Sequence, residues 1–561
     1  MSEVVTVLHR FDLPMAAALV ADKGCRAFLP DPVIYDRALG QGIAAPLVHV
    51  RSSADIAGAA FTDAQRDARA LCRDLGEVLA AIAPAAVDGA WSGHRIFHLL
   101  WTLHGYRRIW PEVLAQHTHD HWHVLLPQQA HTYGVHSFVP GLLLVNELRD
   151  RGLHHTAYGF DCPGLDAYQL PDLRQLPAAL DLIAHVPTCG HDARYIADEL
   201  RASGLRVGAL SPQMYDVPLD GVPASGLVGL PEVRALLGAQ ACARVQALRV
   251  PIEDVLRRHL VRWIAQPRFL DLQLQALWEA LEAQTLFYLW LEQHFAGRPP
   301  RQLLISNHDA TVHGALMTYA REQGMATLVL PHSRVHNLAI KSDGLAPLCL
   351  HHAMQDGPCL DLADRVLPSG PLRYPGDWQA PAETGELRTV GLVLNGISAN
   401  GMCMVDFTAY AGAVQGWRDW AAQRGLTLKL RVRAVETPVT LVAQCLQTDV
   451  DGLMQNTQGS LLEFARGCDL TLGFDVPTSG LQDLVREGLA VMQVELRPLA
   501  WHEWSIVDER VVPRYGMVEA QQRLALMQAN ASVFARYRRA QFDAARARTA
   551  DARPLRDWLR R

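Results

Sequence analysis

A strand–helix–strand pattern between Gln302 and His336 constrains this chain more than any other stretch. Leu303 to Ile305 is an apolar run of a length suited to a buried strand, and Ser306-Asn307-His308-Asp309 follows as a polar turn. From Thr311 to Gln323, Val312, Leu316, Met317 and Ala320 recur at helical spacing, and Gly324 ends the helix. Thr327 to Leu330 is a second apolar, β-branched run, stopped by Pro331 and followed by His332-Ser333-Arg334-Val335-His336. The pattern predicts one βαβ unit with ionisable clusters at both strand C-termini. Ligands of open parallel sheets sit beyond such ends, so this unit is the expected catalytic centre.

The alternation recurs on both sides. Strand His123 to Leu126, helix Ser137 to Arg151 and strand Thr156 to Phe160 begin a series. Leu180 to Val186, Asp192 to Ser203 and Arg206 to Leu210 continue it. Such a rhythm implies a mostly parallel sheet. Ile252 to Ala296 is helical, with a Trp- and Leu-rich face read as core. Pro347, Pro358, Pro368, Pro371, Pro375 and Pro381 crowd the next interval, which reads as an interdomain connector. A second α/β series runs from strand Thr389 to Leu394 through Thr427 to Val432 and Asp469 to Phe474 to Ala490 to Glu495. The expected division is an N-terminal α/β extension over 1–115, a Rossmann-like domain over 116–340, a connector over 341–388, a second Rossmann-like domain over 389–523, and C-terminal helices over 524–561.

Composition narrows the function classes. Among 561 residues, 49% are apolar and 20% charged, which argues against disorder. A net charge of −6 gives no bulk electrostatic case for nucleic acid. No apolar run approaches the ~20 residues of a membrane span, and the N-terminus lacks a signal-peptide pattern. These features predict a cytoplasmic protein. The Arg-rich stretch from Arg536 to Arg561 leaves peripheral contact with the inner face of a membrane open. The ten Cys include no C-x-x-C pair, so neither a disulfide framework nor a structural zinc site is expected. His117-Thr118-His119-Asp120-His121-Trp122-His123 would align imidazoles on one strand face, as zinc binding requires. No carboxylate or Cys stands at a matching spacing, so the stretch reads as a polar lead-in to a strand. No metal or cofactor is expected.

Thr478-Ser479-Gly480 lies between a strand end and a helix start, where free N–H groups attract phosphate. A simple helix cap would use the same residues. The small-residue loop Asn395-Gly396-Ile397-Ser398-Ala399-Asn400-Gly401 and the pair Arg431 and Arg433 strengthen the phosphate reading, since arginine suits bidentate contact. No GxxxxGK[ST] or GxGxxG pattern is present. In the first domain, Asp309 beside His308 suits a general base or a carboxylate nucleophile. His332 and Arg334 suit charge neutralisation on a departing phosphate.

The run SNHDATVHGALMTYAREQGMATLVLPHS resembles the last N-domain unit of bacterial surface-polysaccharide glycosyltransferases of the GT-B architecture. The run CDLTLGFDVPTSGLQDLVREGLAVMQVELR is similar to their donor-binding unit. Within that group the resemblance points to capsule and O-antigen transferases that use CMP-activated Kdo. One stretch departs: RVRAVETP stands where related enzymes often carry His-Pro. The resemblance implies two Rossmann-like domains facing a cleft, with a C-terminal helix crossing back. It implies a metal-independent transferase with a nucleotide-sugar donor and a glycan or glycolipid acceptor. Donor contacts would come from Asn395, Gly396, Ser398, Arg431, Arg433, Ser460, Thr478, Ser479 and Gly480. Gln129, His131, Tyr133 and His336 would serve the acceptor, although the loop from Gln129 equally suits an ordinary βα connection. A CDP-polyol phosphotransferase, a nucleotide-sugar epimerase and a non-catalytic glycan-assembly subunit are the alternative readings.

Overall fold

The structure, a computed structural model, describes residues 2–43, 53–84, 91, 93–118, 120–128, 138–161, 168–186, 193–210, 219, 221–305, 312–330, 348–351, 366–369, 378–383, 385–395, 398–399, 402–403, 406–432, 438–478, 480–496 and 508–561. The chain begins with β1 (Glu3–Thr6), α1 (Leu13–Lys23), β2 (Arg26–Phe28), α2 (Pro32–Gly40), α3 (Ser53–Leu79) and α4 (Gly93–Gln116). β3 (His121–Pro127), α5 (Val139–Asp150) and β4 (His155–Phe160) follow. Their strands form one parallel sheet in the order β2-β1-β3-β4. The sheet is covered on both faces, which the alternation of β1 requires. Val4, with Trp122 and Val124, packs into the core built with α3 and α4. Val5, with Ala27 and Leu125, packs into the core built with α1. This sheet runs across the boundary expected at residue 115. β3 and β4, read as the start of the acceptor-side domain, join the N-terminal strands instead: β3 lies beside β1, with Val5 opposite His123, and β4 lies beside β3.

The second sheet takes its strands from β5 (Gln169–Pro171), β6 (Leu182–His185), α6 (Ala193–Ala202), β7 (Val207–Ala209), β8 (Leu227–Gly229), α7 (Leu230–Ala247), α8 (Arg249–Leu260), α9 (Pro267–His294), β9 (Gln302–Ile305), α10 (His313–Glu322), β10 (Ala326–Val329), β11 (Leu348–His351) and β12 (Val366–Ser369). Six of these strands are parallel in the order β12-β11-β10-β9-β6-β7, while β5 and β8 form a separate antiparallel pair. The βαβ unit read from the sequence is present as β9, α10 and β10, with Ile305 opposite Val329. The Trp- and Leu-rich stripe lies in the core: Leu270, Leu274, Leu277, Trp278 and Leu281 are buried. β11 and β12 fall inside 341–388, so part of the expected connector belongs to this sheet. Pro368 sits in β12, the outermost strand. An edge strand tolerates a residue with no N–H to donate.

The third sheet begins at β13 (Thr389–Asn395), twenty residues after β12 ends at Ser369. It continues through β14 (Ser398–Ala399), β15 (Met402–Cys403), α11 (Phe407–Gln423), β16 (Thr427–Val432), α12 (Val439–Cys445), α13 (Val450–Gln455), α14 (Leu461–Arg466), β17 (Leu470–Asp475), α15 (Gly480–Arg486), β18 (Ala490–Glu495) and β19 (Arg514–Gly516). Five strands are parallel in the order β16-β13-β17-β18-β19. Helix α14 lies close over β13 at Gly391, where a Cβ would come within 2.8 Å of Cys468 Sγ and 2.9 Å of Phe464 Cε1. The chain ends in α16 (Met517–Ala529), α17 (Ala531–Arg548) and α18 (Leu555–Leu559). α17 stays on the third sheet, where Gln541 donates to the carbonyls of Val491 and Val511. α18 crosses back: Leu555 and Leu559 are fully buried in the core around β6, α6 and β7. The molecule is thus an α/β protein of two Rossmann-like sheets joined to an N-terminal α/β unit.

Candidate functional site

The carboxyl ends of β6, β9 and β10 are adjacent. His185, the last residue of β6, pairs in register with Ile305, the last residue of β9, and the amide of Leu330 donates to the Ile305 carbonyl at 2.7 Å. The segments carrying the first-domain candidates therefore leave the sheet from neighbouring strands. Their candidate residues His308, Asp309, His332, Arg334 and His336 themselves lie outside the described residues.

Two histidines absent from the sequence-based set stand at this edge. His185 is buried, and its Nδ1–H donates to the Leu210 carbonyl at 3.2 Å. His313 opens α10 and is fully buried, with its ring edge-on to that of His185 at 4.9 Å. Burial pushes the His185 pKa down to about 4, so its imidazole is neutral near pH 7. A neutral imidazole with its Nδ1–H committed leaves Nε2 as the lone-pair nitrogen. The signal for His313 was its place one helical turn beyond Asp309. His185 gave none, because it lies 120 residues upstream of β9's end and only sheet order brings it there.

On the third sheet, Asn395 at the end of β13 pairs with Asp475 at the end of β17. Asp475 is buried in a left-handed backbone conformation (φ 59°), and its carbonyl accepts from Gln493 Nε2 at 3.0 Å. A Cβ on Gly473 would overlap Gln493 Oε1, so that approach requires glycine. Beside them, Glu495 of β18 pairs with Arg514 of β19 at 3.0 Å. Sequence reading singled out none of these four polar residues, although three of them lie within the run taken as the donor-binding unit. Half-buried Thr478 leads to α15, whose first residue, Gly480, is buried. Buried Asp483 in the first turn of α15 is an acidic group near the N–H groups proposed for phosphate. Ser479, Gly396 and Arg433 lie outside the described residues.

Arg431 and Ser460 are brought together at the turn between α13, which packs against β16, and α14. Arg431 donates to the carbonyls of Asn456 at 2.5 Å and Gly459 at 2.8 Å. Ser460 caps α14: its Oγ accepts from the Glu463 amide at 3.1 Å, and Glu463 Oε2 accepts from the Ser460 amide at 2.6 Å. The loop from Asn395 carries a small hairpin in which Ser398 pairs with Cys403, and its second strand, β15, lies against α3. The first-domain candidates Gln129, His131 and Tyr133 lie outside the described residues. They follow β3, which belongs to the N-terminal sheet rather than the six-stranded one.

Among the described residues, one group could hold a metal: Glu3, Cys25 and His123, at the amino end of the four-stranded sheet. Among the same residues, no helix is long and apolar enough to cross a membrane.

No protein-family model matches the chain, and no curated protein matches its sequence. Solved structures with a related layout are glycosyltransferases. MurG of Acinetobacter baumannii is 12% identical, with a TM-score of 0.35, covering 67% of this chain and 98% of that one. SsfS6 of Streptomyces sp. SF2575 is 12% identical, with a TM-score of 0.33, covering 68% and 98%. The glycosyltransferase VinC in complex with DTDP is 13% identical, with a TM-score of 0.31, covering 67% and 95%. At these values no residue role is carried from those proteins to this chain.

Proposed function

We propose that this chain is a glycosyltransferase that moves a sugar from a nucleotide-activated donor to a glycan or glycolipid acceptor. The observation that carries this reading is the pairing of two all-parallel Rossmann-like sheets through a last helix that returns to the first of them. The polar clusters at strand carboxyl ends support it, because ligands of such sheets bind there. In this reading the donor nucleotide binds the third sheet at Asn395 to Ser398 and Thr478 to Gly480. Arg431 and Ser460 shape its rim, since both are engaged with the 456–463 turn. Asp309 then acts from the second sheet as a base toward an acceptor hydroxyl, or as a nucleophile toward the anomeric carbon. His332 and Arg334 offset the charge of the leaving group, and His336 with the loop from Gln129 faces the acceptor. The resemblance to Kdo transferases favours a CMP-sugar, a location at the inner face of a membrane, and chemistry without a metal.

A melting-temperature panel of CMP, CDP, UDP and GDP tests the donor. CMP is expected to give the largest stabilisation; a flat panel would remove the donor assignment. Donor hydrolysis and transfer then test the chemistry. Asp309→Asn keeps shape and removes charge, so nucleotide stabilisation persists while turnover falls by roughly 10²-fold or more. Intact-mass measurement with donor alone separates the roles, because a sugar adduct on the wild type that is absent from Asp309→Asn identifies a nucleophile. Near wild-type turnover in Asp309→Asn would misplace the proposed centre.

A further inference from the structure

The histidine-rich stretch before β3 has no metal-ligand partner in its sequence neighbourhood, but the fold supplies two. Glu3 opens β1, Cys25 precedes β2, and His123 is the third residue of β3. These are adjacent strands, and one donor atom from each residue lies within 4.8 Å of the others. Parallel register puts them on one face. Val4 pairs with Arg26 and Val5 with His123, so Glu3, Cys25 and His123 share the side that packs on α1.

We infer that Glu3, Cys25 and His123 form a divalent transition-metal site, with zinc as its natural ion, that ties together the amino ends of three strands. A thiolate, an imidazole and a carboxylate make a mixed donor set that suits zinc and excludes magnesium and calcium, which take oxygen ligands. His121 is the nearest further donor. Its Nδ1 lies 4.0 Å from Glu3 Oε1, and its ring stacks on His123 at 4.9 Å. Zinc, with bonds of ~2.0–2.3 Å, fits among donors within 4.8 Å of one another once the His123–Glu3 pair opens around it.

The surroundings match what metal-bound histidines require, namely a partner on the second ring nitrogen. His123 Nδ1 faces the Tyr158 hydroxyl at 3.0 Å, and His121 Nε2 faces Thr156 Oγ1 at 2.9 Å. Both partners come from β4. Lys23 donates to the same Tyr158 oxygen at 2.8 Å. His123 Nε2 and Glu3 Oε2 form a hydrogen-bonded pair at 2.5 Å. The ion enters between them and the proton of that hydrogen bond leaves to solvent, while His123 keeps its N–H at Nδ1, toward Tyr158. Cys25 releases its thiol proton to solvent as the sulfur–metal bond forms. The Cys25 side chain is buried.

The test uses the full chain, stripped with a chelator and titrated with Co²⁺. One equivalent is expected to produce a thiolate-to-cobalt charge-transfer band that Zn²⁺ then bleaches, and Zn²⁺ is expected to raise the melting temperature. Cys25→Ser should abolish the band, and His123→Gln should weaken metal affinity at least tenfold. If Cys25→Ser does not fold, half-exposed Glu3→Gln replaces it, with a tenfold loss expected. No band in the wild type overturns the inference. So does a band unchanged in the variants, which would place the metal on another of the chain's cysteines. Nucleotide binding and sugar transfer are read separately, so failure here leaves the proposed activity untouched.

Discussion

His185 and Asp12 carry opposite charges of pH dependence in two different cores. Burial lowers the His185 pKa to about 4, from 6.5 in an unfolded chain. The unfolded state therefore binds the extra proton, and this contribution to stability is lost as pH falls from 6.5 toward 4. It amounts to about 2 kcal/mol between pH 8 and pH 5 by linkage. His185→Asn retains an N–H toward the Leu210 carbonyl and removes the titration. Urea unfolding at those two pH values is expected to show a correspondingly smaller acid loss in the variant. Asp12 runs the other way: burial raises its carboxyl to about 7, although the amides of Leu8 and His9 donate to it at 2.8 and 2.9 Å. Its contribution is present below pH 4 and is lost as pH rises through 7, so Asp12→Asn should stabilise the protein at pH 8 more than at pH 5. Equal effects at both pH values would show that the carboxyl is ionised in the fold. Neither residue was legible as special in the sequence. A lone Asp after a strand and a lone His at a strand end are common, and only burial by distant elements perturbs them. The clusters around Asp309 and His332 stand out in the sequence because their members are neighbours in the chain, and they lie outside the described residues.

Helix α14 shows how a candidate ligand residue can be occupied by local structure. Ser460 and Glu463 complete a reciprocal cap, and Arg431 braces the preceding turn through two carbonyls. Ser460→Ala should cost about 1 kcal/mol of stability, the usual worth of such a cap. If the hydroxyl serves only the helix, nucleotide affinity measured by calorimetry stays unchanged. If it also binds donor, affinity falls beyond what the lost stability explains. The same helix makes Gly391 essential to the close approach on β13, and Gly391→Val should cost ~1–3 kcal/mol through overpacking against Phe464 and Cys468. Periodicity gave β9, α10, β10, β16 and β17 nearly to their ends. β12 was hidden by Pro368, because proline normally argues against a strand and the exception holds only at an edge. The sequence cannot mark which strand is the edge.

The sheet order of the whole molecule was the least legible property. β1 and β3 are far apart in sequence, and their pairing moves residues 121–160 into the N-terminal unit. The returning helix was expected from family resemblance alone, and its contacts are now specific. Leu555 and Leu559 enter the core of the second sheet, the Arg556 amide donates to Glu199 Oε2 at 2.9 Å, and Arg556 Nη1 donates to Glu199 Oε1 at 2.6 Å. Glu199 is 4% exposed, so the Arg556 guanidinium offsets the cost of burying its carboxylate. The third sheet's unit meets the N-terminal unit where the Leu441 amide of α12 donates to Asp36 Oδ1 at 2.7 Å. Removing residues 550–561 would therefore uncover one face of α6 and leave the carboxylate of Glu199 unpaired, while the third sheet keeps its own core. Hydrogen exchange is expected to accelerate in α6 and β7 and to stay unchanged in β13 and β17. Leu559→Ala is the milder version, with an expected loss of ~2–5 kcal/mol confined to the second sheet. Equal acceleration in both sheets would mean that they unfold as one unit. No acceleration in α6 would mean that the last helix rests on the surface without coupling the two sheets.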